Sequence, residues 1–134
     1  MMMRRLEVAL VGTDTKLPEF LAEVFELTPE APYHMDDGIL YRLGGPAGTL
    51  KVMVPTDPPA APEHSGMWTT KGIRYYAVFV DDFDATLERA KALGAKVGDP
   101  VEPSPGVRIS FVRDPEGNFI EVVTSPNYSD PPDA

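Results

Sequence analysis

Apolar and polar positions along the chain fall into blocks of two kinds. Two short runs rich in β-branched and aromatic residues, "EVALVGTD" (Glu7–Asp14) and "YYAVFVDD" (Tyr75–Asp82), each end in Asp and then give way to spacings of three and four. After the first come Leu17, Leu21, Val24 and Leu27; after the second come Phe83, Leu87, Ala90 and Leu93. That change of period, from sheet-like to helix-like, predicts a strand followed by an amphipathic helix, twice. Asp14 or Thr15, and Asp82, are placed to cap the helix starts, and Gly94 supplies a stop. Glu7 corresponds to Tyr75, 68 positions on, whereas Leu17 corresponds to Phe83, 66 positions on, so the repeat is approximate.

Each predicted helix is followed by paired strand material. "GILYRL" (Gly38–Leu43) and "TLKVMV" (Thr49–Val54) are separated by "GGPAG", and "VRISFV" (Val107–Val112) and "FIEVVT" (Phe119–Thr124) by "RDPEGN". Both read as hairpins. In the second, Pro115 suits a turn position that wants φ near −65°, and Gly117 suits one with positive φ. Short further strands are expected around Tyr33–Asp36 and Lys96–Val101. The order of strand, helix, then two or three strands, given twice, is an α+β arrangement of two modules.

Composition narrows this picture. The 134 residues suit one domain, or two small halves sharing a core. Fifteen are proline, against a typical usage of roughly 5%, and they cluster at joints. "PTDPPAAPEHSG" (Pro55–Gly66) supports neither a helix nor a central strand, because proline lacks the N–H that either ladder needs. The expected organisation is a single domain over residues 1–125, built of module 1 (4–55) and module 2 (72–125), with a Pro-rich linker (56–71) and a flexible tail (126–134). The net charge of −9, with no basic run longer than Arg4-Arg5, argues against nucleic acid and anionic membranes as partners. The absence of cysteine excludes disulfides, thiolate metal sites and a Cys nucleophile. The apolar run of "MMMRRLEVALVGTD" is short and interrupted by Glu7, so a cytoplasmic protein without signal peptide or membrane span is expected.

The strand-Asp-helix stretch "YYAVFVDDFDATLERAKALGAKV", the closing hairpin "VRISFVRDPEGNFIEVV" and their weaker recurrence in the first half together resemble the vicinal oxygen chelate superfamily, which includes glyoxalase I, bleomycin-resistance proteins and extradiol dioxygenases. That resemblance implies two tandem βαβββ modules forming a curved, partly open mixed β-sheet barrel around a pocket. It also implies four inward-facing ligand positions, at the start of the first strand and the middle of the last strand of each module. In this chain they fall on Glu7, Tyr75 and Glu121, with Lys51 or Val52 as the fourth. Strand alternation favours Lys51, since Leu50, Val52 and Val54 then pack together on the other face.

Glu7, Lys51, Tyr75 and Glu121 make a poor transition-metal site. There is no imidazole among them, Lys51 would repel a cation, and Tyr75 would have to lose a proton with a pKa near ~10. Their alternative use is an ion pair of Lys51 with Glu7 or Glu121, or a set of acid, base and phenol able to bind a polar molecule or shuttle a proton. Tyr41, Met53, Trp68, Phe111 and Phe119 are candidate ligand-binding residues on or beside these strands. Arg108 is a candidate anion anchor, although alternation separates it from Phe111. His34 and His64 read as exposed loop residues.

The resulting expectation is a small-molecule-binding protein of the resistance or sequestration type, homodimeric by analogy and with no cofactor. Its alternative is a lyase, isomerase or dioxygenase of the glyoxalase kind, with Glu7 and Glu121 on a divalent metal (Mg, Mn, Zn, Ni or Fe).

Overall fold

The structure is a computed structural model that describes residues 3, 6–60, 67–69 and 71–126; His64 and residues 127–134 of the tail lie outside the described residues. The chain divides into two compact units, residues 1–61 and 62–134.

The first unit runs β1 (Val8–Val11), α1 (Lys16–Val24), β2 (Thr28–Pro29), β3 (Tyr33–Met35), β4 (Gly38–Gly45) and β5 (Gly48–Pro55). The second repeats that order as β6 (Tyr75–Phe79), α2 (Phe83–Ala92), β7 (Lys96–Val97), β8 (Val101–Ser104), β9 (Val107–Arg113) and β10 (Phe119–Thr124). Among the described residues there are thus two helices and ten strands, in two open mixed sheets with no closed barrel. The orders are β1-β5-β4-β2 with β3 also on β4, and β6-β10-β9-β7 with β8 also on β9. The strand expected at Tyr33–Asp36 is β3, with the further short strand β2 before it, while the one expected at Lys96–Val101 is split into β7 and β8. In each module both short strands hydrogen-bond to the same neighbour, and the chain between them bends away from the ladder.

Each helix covers one face of its own sheet. Leu17, Phe20, Leu21 and Val24 of α1 are buried, with Leu43 and Val52 of the sheet. In the second unit Phe83, Leu87 and Ala90 of α2 are buried, with Val112, Ile120 and Val122. This removal of apolar area from water is the main stabilising term for both modules. Leu27 and Leu93, expected on the helix faces, lie beyond the last helical residue instead, and Leu93 is exposed.

Both helices stop with the same motif. Leu27 N–H donates to Ala22 O (3.0 Å) and Ala95 N–H to Ala90 O (3.1 Å), across a residue of positive φ: Glu26 (53°) in one, Gly94 (82°) in the other. At the starts, Asp14 Oδ1 accepts from Lys16 N–H (2.9 Å). Asp82 occupies the cap position of α2, yet its carboxylate accepts from Thr86 Oγ1 (3.0 Å) and Arg89 Nη1 (3.1 Å) rather than from the backbone.

The "RDPEGN" connection is built around a buried carboxylate. Asp114 Oδ1 accepts from the N–H groups of Glu116 and Asn118 (both 2.9 Å), and Oδ2 accepts from Asn118 Nδ2 (2.8 Å). Gly117 takes φ 85°, a conformation that costs glycine little. The turn thereby fixes the register of the β9–β10 hairpin, which pairs Arg113 with Phe119 and Phe111 with Glu121.

Candidate functional site

The second module presents an ordered row of chemistry on the face of its sheet turned away from α2. Ile120 and Val122 are fully buried toward the helix, so Phe119, Glu121 and Val123 point the other way. Residues directly opposite one another in a ladder share a face. Glu121 is accordingly flanked by Ala77 of β6 and Phe111 of β9, and Phe119 by Tyr75 and Arg113. The rings meet edge to face: Tyr75 and Phe111 have centroids 5.3 Å apart at 85°, and Trp68 stands 6.4 Å from Tyr75 at 76°. The Arg113 guanidinium lies 4.2 Å over the Phe119 ring.

Among the described residues Glu121 has no hydrogen-bond or ion-pair partner. Loss of water beside the rings pushes its carboxyl above the usual carboxylate range. A lone carboxylate in such surroundings is equipped to accept a hydrogen bond, or a proton, from a bound molecule.

The first module has the same ladder and different chemistry. Gly12 N–H donates to Met53 O (2.8 Å) where Val80 N–H donates to Val123 O (2.8 Å), so Lys51 is the counterpart of Glu121 and each lies opposite an alanine, Ala9 or Ala77. Val52, the other candidate, is fully buried on the helix face. Lys51 Nζ stands 3.1 Å from Glu7 Oε1, each side chain about one third exposed. Arg42, directly opposite Lys51, reaches Glu30 Oε2 at 3.6 Å and lies 4.4 Å over the Tyr33 ring. The charges of this face are offset locally. At such exposure each pair contributes little, on the order of 0.2–1 kcal/mol.

The other sequence candidates divide between the two faces. Met53 is opposite Leu40 on the Lys51 face. Tyr41 is opposite Val52 on the helix face, where with Pro18 and Leu43 it lines a groove of about 520 Å³. Arg108 also lies on the helix face, its guanidinium 3.1 Å from Asp84 and 4.5 Å over the Phe83 ring, and so is not grouped with Glu121. Trp68 is 78% exposed. His34 is exposed on β3, within a strand rather than a loop. The residue that sequence reasoning missed is Arg113. It had been read as part of the turn, although its period-two spacing from Phe111 placed it on the same face.

The four positions the resemblance assigns to metal binding carry two carboxylates, a phenol and an ammonium, and Glu7 is engaged by Lys51. That donor set does not fit a divalent transition metal, which takes imidazole, thiolate or several carboxylates. Among the described residues no three His, Asp or Glu side chains are grouped closely enough to hold an ion. No helix among them is long and apolar enough to cross a membrane.

Solved structures of the same fold cover nearly all of the chain. A glyoxylase/bleomycin resistance protein/dioxygenase domain from Frankia sp. matches with a TM-score of 0.78 at 15% identity, over 96% of each chain. The fosfomycin resistance protein FosX from Mesorhizobium loti matches at 0.66 and 17%, over 93% of this chain and 94% of that one. TioX from Micromonospora sp. matches at 0.65 and 25%, over 90% and 98%. The sequence model of the Glyoxalase/Bleomycin resistance protein/Dioxygenase superfamily matches residues 9–122, and the chain therefore belongs to that superfamily, the vicinal oxygen chelate proteins.

Proposed function

We propose that the protein binds a small molecule on the aromatic face of its second module and does so without a divalent metal, as a resistance or sequestration type of the superfamily. The observation that carries this reading is the unpartnered Glu121 carboxylate set among Tyr75, Phe111 and Phe119. Aromatic faces and edges suit a flat apolar body, and a single carboxylate supplies one directional anchor, the usual composition of a small-molecule site. The counterpart position in the first module holds Lys51, which offsets Glu7 and would oppose a bound cation. That FosX, one protein of this fold, is a fosfomycin resistance protein is in keeping with such a role.

The test uses 2-naphthamide, a flat bicycle with N–H groups for Glu121, in titration calorimetry. Wild-type protein is expected to bind it, and Phe111→Ala to weaken binding about tenfold, near 1.4 kcal/mol for the lost ring contact. Affinity unchanged in Phe111→Ala, or no binding to wild type, would overturn the reading.

A further inference from the structure

Across the second sheet the register Lys96–Arg113–Phe119–Tyr75 sets four side chains in one row on the Glu121 face. Its first two members are like charges directly opposite one another, an arrangement that opposes folding unless something offsets it. Five other cations of this acidic chain have carboxylates within 4 Å: Arg42 with Glu30, Lys51 with Glu7, Arg89 with Asp82, Lys91 with Glu88 and Arg108 with Asp84. Among the described residues Arg113 and Lys96 have no such partner. The Arg113 Nε–H is moreover buried and has no acceptor, a costly state for a charged donor.

We infer that Arg113, supported by Lys96, is an anion anchor, and that the ligand is a flat carboxylate whose ring lies on Phe119 and Phe111 while a hydrogen-bond donor at its far end meets Glu121. The inference rests on the reading of this face given above and adds the class of ligand. Stacking on Phe119 occupies one face of the guanidinium and leaves its two Nη–H groups to bond in plane, while the buried Nε–H stays out of a ligand's reach. A planar carboxylate matches that fork. Glu121 is one diagonal step from Arg113, roughly 7–8 Å in a sheet, which a substituted ring spans. The orientation is fixed by charge, since an anionic group placed at Glu121 would be repelled.

The experiment compares 6-hydroxy-2-naphthoate, whose hydroxyl is the far-end donor for Glu121, with 6-hydroxy-2-naphthamide by titration calorimetry at low salt. Wild type is expected to bind the carboxylate at least about tenfold tighter than the amide, the scale of a charge-assisted bidentate contact. Arg113→Gln should reduce that preference to within about twofold. A wild-type protein without the preference, or an Arg113→Gln variant that keeps it, would overturn the anchor. If Arg113→Gln fails to fold, Lys96→Gln carries the test, with an expected loss of about threefold in preference; an unchanged preference would overturn the paired-cation site. The two readings fail separately. Phe111→Ala without effect on either probe removes the aromatic face, whereas Phe111→Ala weakening both while Arg113→Gln changes neither removes only the anchor.

Discussion

Glu121 and Asp82 show what a carboxylate's neighbours decide at the scale of one residue. Burial pushes the Asp82 carboxyl upward, but hydrogen bonds from Thr86 and Arg89 outweigh it and hold it below the usual range. Among the described residues Glu121 has no such bonds, and desolvation moves it up. A carboxyl whose folded pKa exceeds its unfolded value binds its proton more tightly in the native state, so ionisation opposes folding. Stability is then lost as the pH rises from the unfolded value through the raised folded one, and is recovered below both. Glu121→Gln should therefore raise the melting temperature at pH 7, an effect moderated by solvent screening. The gap should close as the pH falls below about 4. A variant less stable at pH 7, or a gap indifferent to pH, would contradict the assignment. At this scale the sequence showed the residues and their alternation, but not which face carries the helix. Arg108 and Arg113 are both cations on one strand, and only the burial of Ser110 and Val112 against the helix settles which of them shares a face with Glu121.

The two helices end in the same geometry by different residues. Gly94 announces its stop, because glycine enters the positive-φ region at little cost. Glu26 takes the same role at φ 53° with a side chain that penalises it. No turn signal marks Glu26 in the sequence, so the periodic reading ran on to Leu27. Glu26→Gly is expected to stabilise the protein by about 0.5–1 kcal/mol, seen as a higher urea midpoint with an unchanged slope; a lower midpoint would show that contacts of the Glu26 side chain outweigh the backbone strain. The shortest strands were illegible for a related reason. Strands of two residues, such as Thr28–Pro29 and Lys96–Val97, are too short to show any period. The hairpins, by contrast, could be read directly, since eight-residue strands and the Asp-Pro-Glu-Gly turn each carry their own local signal.

At the scale of the whole molecule, one topology is used twice with opposite electrostatic outcomes. The two modules share strand order, parallel ladder and helix stop, and this duplication was legible from the recurring strand-Asp-helix pattern. Their open faces differ. In the first, Lys51, Glu7, Arg42 and Glu30 offset one another; in the second, Glu121 and Arg113 have no ion-pair partner within 4 Å among the described residues and stand beside four aromatic rings. Unmatched polar groups beside aromatic rings are what a ligand can satisfy, and this is the face of the proposed binding. Metal-independent binding further requires that Lys51, at one of the positions the resemblance assigns to metal binding, keeps a divalent ion out. Elemental analysis tests this most directly, on protein incubated with Ni, Zn, Mn or Fe(II) and then desalted. The expected content is below about one tenth of an equivalent per chain for every metal; one equivalent retained by wild type and lost in Glu121→Gln would contradict it.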